Sequence, residues 1–178
     1  MLATAVMYLR LLIIITFFNL PLAIRLALPL IALFVLATGC AWVVHVRSRP
    51  AQSESLQQTA LRNPLELTTA LVFASLFVVI SVASSWMRIK YGAAGVYSLA
   101  ALVGLTDIDP FALSLAQGST VELPRSASAA AILIAASSNN LLKAGYAMAF
   151  AGWQKAVSCS VALVLLAVAG IAIALLSA

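Results

Sequence analysis

The chain has 178 residues, 64% of them hydrophobic and 8% charged, with a mean hydropathy of +1.12. Soluble domains carry about 45–50% apolar and about 25% charged residues, so water could not wet an ordinary fold of this composition; disorder, which needs low hydrophobicity and high charge, is excluded as well. That leaves an integral membrane protein, and at about 20 apolar residues per crossing the chain has room for about five to seven segments in one domain.

The net charge is +5, from ten Lys/Arg against five Asp/Glu, and the isoelectric point is near 9.7. The basic residues sit singly at segment ends, with no basic run and no interleaved aromatics. They read as surface anchors that snorkel from helix ends, not as contacts to nucleic acid. Cys40 and Cys159 each lie in an apolar stretch without a CxxC partner or a nearby His, which predicts buried, inert thiols. His45, beside Arg47 and Arg49, reads as an interfacial residue. No charge precedes Arg10, and the apolar run is too long for a cleaved leader, so residue 1 onward is expected to belong to the membrane domain.

In chain order, the first segment is predicted over Ala3–Leu20 and the second over Leu26–Val46, joined by the short link Pro21–Arg25 into a helical hairpin. Pro29 falls in the first turn of the second, where a missing N–H is tolerated. Residues 47–63 form the longest polar stretch, with a short amphipathic helix expected around Ser55–Leu61. The third segment is predicted over Pro64–Met87, with Asn63 as N-cap, Glu66 in its first turn, and Arg88 and Lys90 closing it. A tight Tyr91-Gly92 turn follows.

The next stretch is different. Ala93–Leu105 offers about thirteen mostly apolar residues, too few to span, and Thr106-Asp107-Ile108-Asp109-Pro110 interrupts before a second short run to Ala116. This is either one broken helix or a re-entrant pair of half-helices. Both put two carboxylates and a proline near membrane depth. After a polar link over 117–125, a fifth segment runs over Ser126–Phe150, rich in Ala and Ser, and a sixth from Ala156 to the end. With six crossings, Arg47, Arg49, Arg62 and Arg125 face one side and Arg25, Arg88, Lys90 and Lys155 the other, so the positive-inside rule is balanced. The longer, basic 47–63 loop favours the cytoplasm for that side.

A weak internal repeat aligns Ala3 with Ala136, Thr4 with Ser137, Leu9 with Leu142 and Arg10 with Lys143, without gaps. The predicted organisation is a hairpin over 1–46, the polar loop 47–63, and a complete repeat unit over 64–178. The first unit would then be partial, its remainder lying upstream in a longer relative or supplied by a second chain. Transporters are often built from such duplicated units.

Asp107, Asp109, Asn139, Asn140, Lys143 and Arg10 cannot all be interfacial. A charge near the bilayer centre costs at least about 2.5–3.5 kcal/mol on insertion scales, so these groups must pair or face water or an ion. One reading is structural: the carboxylates neutralise Lys143 and Arg10. The other is functional: a broken helix presents Thr106, Asp107, Asp109, Ser114, Asn139 and Asn140, all oxygen donors, to a hard cation such as Mg²⁺ or to a proton. Asp107 and Asp109 would be the metal-binding or proton-carrying pair, with Lys143 and Arg10 as charge partners. No resident cofactor is implied, and the sequence holds no Ser/His/Asp set, paired metal-type histidines or phosphate loop, so an enzyme is not expected.

Three motifs in register, Arg62-Asn63-Pro64-Leu65-Glu66-Leu67, Gly104-Leu105-Thr106-Asp107-Ile108-Asp109 and Ser138-Asn139-Asn140-Leu141-Leu142-Lys143, together with Ala5–Arg10, resemble a bacterial membrane domain. It is the domain of unknown function numbered 4010, the C-terminal membrane half of MgtC/SapB-type proteins. In that family a Gly-Gly-x-Ser-Ser-Thr-Ala segment usually precedes the helix bearing the equivalent of Arg10; it is absent here. The resemblance implies a multi-pass helical protein of the bacterial inner membrane, a homo-oligomer or one partnered by an upstream MgtC-type domain or chain. It also implies a link to magnesium or other cation homeostasis. The leading expectation is an all-α membrane bundle for cation transport. The alternative is a non-transporting module that regulates a partner through the small-residue face Ser126–Ser138.

Overall fold

A computed structural model describes residues 2–47, 67–118, 123–151 and 153–177. Among them the chain is all-helical, with α1 Leu2–Phe18, α2 Leu20–Arg47, α3 Leu67–Val103, α4 Ile108–Gln117, α5 Arg125–Ala151 and α6 Trp153–Ser177. The polar loop 47–63 lies almost wholly outside the described residues. So do its amphipathic helix and the Asn63 cap with Pro64 and Glu66.

The link between the first two helices is shorter than expected. It is the single residue Asn19, not Pro21–Arg25. The side chain of Asn19 explains the difference: Oδ1 accepts the Leu22 N–H at 3.1 Å, capping α2, while the Asn19 N–H still donates to the Ile15 carbonyl at 2.8 Å. Pro21 sits in the first turn, where its missing N–H costs nothing.

The third predicted segment and the first half-helix are joined into one run, α3, that is broken only at Gly92. There φ is 60° and ψ −143°, backbone that essentially only glycine adopts. The corner is sharp: a Cβ on Gly95 would stand 2.6 Å from the Met87 carbonyl, eight residues back. At the corner Lys90 Nζ lies 5.1 Å from the Trp86 ring and 5.5 Å from the Tyr91 ring. Arg88, expected as an exposed helix end, is instead buried, with only a long 3.5 Å contact to Ser85 Oγ.

Four contacts set the relative directions. Tyr8 meets Asn140 and Met7 meets Lys143, so α1 and α5 run antiparallel. Arg25 and Pro29 of α2 line a pocket with Ser126 and Leu133 of α5, so these helices begin at the same end. The far half of α2 and the start of α6 line another, from Val35 and Cys40 to Val157 and Val161. The end of α4 reaches the α1–α2 corner, where Asn19 Nδ2 donates to the Ala116 carbonyl at 3.2 Å.

One core joins these helices, from Leu11 and Ile15 through Leu26 and Leu33 to Phe111, Ile132 and Leu133. The small residues of α5 are consumed inside it. Ala127, Ser128, Ala129, Ala130, Ala131, Ala135, Ala136 and Ser137 are all buried within the chain, so the face expected to receive a partner is already covered by α3 and α6. The outer surface is apolar, with Phe17, Leu28 and Leu176 among its exposed residues. Among the described residues, two helices are long and apolar enough to cross a membrane, over Leu20–Val44 and Val157–Leu176; α1 is apolar and shorter. Cys40 and Cys159 are free and half-buried.

Candidate functional site

The site is built on the break between α3 and α4. The helix ends in a tight turn: the Gly104 N–H still donates to the Ala100 carbonyl at 3.0 Å, but the Leu105 and Thr106 N–H groups return to the Leu102 and Val103 carbonyls at 3.1 and 2.8 Å. Gly104 is needed there. A Cβ at that position would collide with the Ala135 carbonyl and stand 2.6 Å from Ser138 Cβ. The turn is held on α5 by two side chains: Ser138 Oγ donates to the Ala101 carbonyl at 2.6 Å, and Asn139 Nδ2 to the Gly104 carbonyl at 3.1 Å. Thus the freed carbonyls of a broken helix are answered by polar side chains of its neighbour, as irregular backbone away from water requires.

Asp107 starts α4. Its backbone is extended, and its Oδ1 accepts the Asp109 N–H at 3.1 Å. A carboxylate is the favoured cap, and its charge suits the positive end of the helix. Asp109, in the first turn, is buried, its side chain 8% exposed, and it forms an ion pair with Arg10 of α1, whose side chain is 62% exposed. The guanidinium therefore reaches from an open position onto an enclosed carboxylate.

These groups surround a pocket of about 270 Å³ lined by Met7, Arg10, Asp107, Asp109, Asn139 and Lys143, with aliphatic walls. Lys143 Nζ donates to Met7 Sδ at 3.3 Å, a weak acceptor, and among the described residues no carboxylate lies within ion-pair reach of it. Asn139 keeps Oδ1 enclosed and without a hydrogen-bond partner.

Of the sequence-predicted residues, five meet at this pocket: Arg10, Asp107, Asp109, Asn139 and Lys143. Three do not. Asn140 points elsewhere, fully buried, donating to Tyr8 Oη at 2.6 Å with its own Oδ1 unpartnered. Thr106 is exposed and spends its hydroxyl on the Val103 carbonyl at 2.9 Å. Ser114 is half-buried two turns along α4, away from the pocket. The two aspartates stand without a third carboxylate, His or Cys in a metal-type group among the described residues. Sequence reasoning missed Tyr8, Met7 and Asn19. A tyrosine in an apolar helix was the available signal for the first, since a buried hydroxyl usually finds a partner.

An uncharacterized protein of Aquifex aeolicus (strain VF5) is 34% identical over 127 residues, covering 71% of this chain and 55% of that protein. The chain thus spans little more than half the length of that relative. No solved structure matches it. A family profile described as a domain of unknown function, DUF4010, matches residues 1–151. The chain belongs to the DUF4010 family.

Proposed function

We propose that this is a transport domain of the bacterial inner membrane. Its cargo presents a positive charge to Asp109 and displaces Arg10. The observation that carries this reading is the asymmetry of the ion pair: an enclosed carboxylate on a ten-residue half-helix, neutralised by a guanidinium that is 62% exposed. An exposed arginine can leave; a buried carboxylate cannot, and needs a cation in its place. Discontinuous helices that present side chains and freed carbonyls are where transporters hold their cargo.

In this reading all six hydrophobic segments lie in the bilayer, and the α3–α4 break is re-entrant. Chain parity supports it. The end of α2 and the start of α5 lie at opposite ends of the bundle. One crossing must therefore separate them, and the polar residues of 47–63 do not make it. The apolar first part of α3 does. Gly92 then stands at the membrane surface, where Trp86, Tyr91 and Lys90 suit the interfacial belt. The half-helices before and after the break, at 1.5 Å per residue, are each about 15 Å long, half of a hydrocarbon core of about 30 Å.

Arg10 lies halfway along the apolar helix α1, so its open side cannot face lipid. That side faces a water-filled cavity completed by protein, either a second copy of this chain or an MgtC-type domain. The reaction is permeation, with no catalytic step. The pocket holds as many basic as acidic side chains, and this favours a cargo carrying one positive charge over a divalent ion.

The test is solute flux into sealed liposomes containing the purified chain, wild type beside Asp109→Asn and Asp107→Asn. Mg²⁺, Mn²⁺, Co²⁺, protons, methylammonium and glycine are tested in turn. Flux of any of them that falls at least tenfold in Asp109→Asn, with the variant still monodisperse, is the expected result. A folded chain with no Asp109-dependent flux for any solute overturns the reading in favour of a regulatory module.

A further inference from the structure

We infer that the cargo of this pocket is a small zwitterion, one that carries an ammonium and a carboxylate a few bonds apart. The inference rests on the transport reading above and names its substrate class.

Three observations converge. First, the pocket contains both signs of charge. Asp107 and Asp109 come from α4, Arg10 from α1 and Lys143 from α5, and formally they sum to zero. A metal ion or a simple anion would leave net charge in the site. A zwitterion adds none. Second, the two poles have unequal claims on each other. Arg10 and Asp109 are already paired, while Lys143 has only the Met7 thioether at 3.3 Å. An ammonium on the cargo would take the place of Arg10 on Asp109. The cargo carboxylate would give Lys143 the anion it lacks and would accept the released guanidinium. After binding, Asp109, Arg10 and Lys143 would each face an opposite charge. Third, Asn139 is held by its Nδ2 on the Gly104 carbonyl, which leaves Oδ1 enclosed and unpartnered beside the carboxylates. An unpaired buried acceptor needs a donor, and an ammonium N–H supplies one.

Size and lining fix the class further. The pocket measures about 270 Å³, just under the usual lower bound of about 300 Å³ for drug-sized ligands. Its remaining walls include Val6 and Ile108, which offer no hydrogen bonds. A solute with two charged ends and a short carbon backbone suits this lining.

The experiment is binding of radiolabelled glycine and β-alanine to the purified full chain in lipid nanodiscs, with methylammonium and acetate as single-pole competitors. Each pole makes at least one charge-assisted hydrogen bond, so removing one should weaken binding by at least about tenfold. The expected result is saturable binding of a zwitterion, at least tenfold tighter than either competitor. Asp109→Asn should abolish it. Lys143→Met removes the cation that has no carboxylate partner, so the fold has little to lose. It should weaken zwitterion binding by about tenfold and strengthen methylammonium binding, because the lost charge repels a cation. Competition by methylammonium as strong as by glycine overturns the inference and leaves the transport reading standing. Equal competition by acetate overturns it in favour of an anion site. Glycine binding that is unaffected by both substitutions removes it from this pocket, and absence of Asp109-dependent binding and flux for every solute overturns both readings.

Discussion

Asp109 and Arg10 form one ion pair, but losing either member has unequal consequences. Removing the carboxylate leaves a guanidinium that is already largely exposed and can be solvated at the cavity mouth. Removing the guanidinium leaves a carboxylate, 8% exposed, without a direct counterion. An uncompensated buried charge costs more than an uncompensated exposed one. Arg10→Gln should therefore destabilise the chain by about 1–3 kcal/mol, and Asp109→Asn by clearly less, in unfolding by denaturing detergent. Equal losses would mean that the pair is buried symmetrically. A second residue-scale prediction concerns Tyr8 and Asn140. Buried polar pairs between membrane helices are worth about 0.6 kcal/mol on average and up to about 1.7. The 2.6 Å bond is fully enclosed, and Asn140 already has one orphan oxygen. Tyr8→Phe should cost about 1 kcal/mol, above that average, read in the same unfolding assay, and a double substitution with Asn140→Leu should recover part of it.

At the scale of the element, two glycines do different work. Gly104 lets α3 approach α5 until its own Cβ position overlaps the Ala135 carbonyl. That obstacle is backbone and cannot rotate away. Gly104→Ala should destabilise by about 1–3 kcal/mol through overpacking and should also disturb the pocket, because Asn139 loses the Gly104 carbonyl it holds. Gly92 has open space around it and a positive φ instead. Gly92→Ala should cost about 1–3 kcal/mol through backbone strain alone and leave solute binding intact. The two variants, measured together for stability and for binding, separate a packing glycine from a hinge glycine. Much of this was legible beforehand. Gly92 follows a run with basic closing residues, and Thr106-Asp107-Ile108-Asp109-Pro110 interrupts an apolar run too short to span, so both breaks announce themselves in the sequence. Asn19 did not. One residue that ends one helix and caps the next leaves no polar stretch to notice, and the predicted link was drawn too long around Pro21.

Across the whole molecule, the apolar surface and the shared core are what the composition demanded, and the gathering of Arg10, Asp109 and Lys143 followed from the cost of isolated charges. Of the oxygen donors, Asn139 was legible, since it lies four residues before Lys143 on one helix face and both line the pocket; the separation of its neighbour was not. Adjacent residues on a helix point about 100° apart, so Asn139 and Asn140 could not both face one pocket. The repeat aligned Arg10 with Lys143, and both line the pocket, although they reach it from antiparallel helices. The re-entrant arrangement makes a prediction at this scale. With Cys40 and Cys159 replaced, single cysteines introduced at Asn19 and Gly118 should be labelled from the same face of the membrane, and one at Tyr91 should share that face. Labelling of the Tyr91 position from the opposite face would make the break a full crossing.

The bond from Asn19 Nδ2 to the Ala116 carbonyl has a mechanical meaning. It fastens the far end of α4 to the corner of the first two helices, while the near end follows a turn that Ser138 and Asn139 pin to α5. Ile108, Phe111 and Leu115 seat the same half-helix in the core along its length. A rod held at both ends neither slides nor pivots, so the movable part of the pocket is the exposed side chain of Arg10 and not the carboxylate it meets. Freeing the far end by Asn19→Ala should lower stability by about 1 kcal/mol in the same unfolding assay and leave the Arg10–Asp109 pair in place.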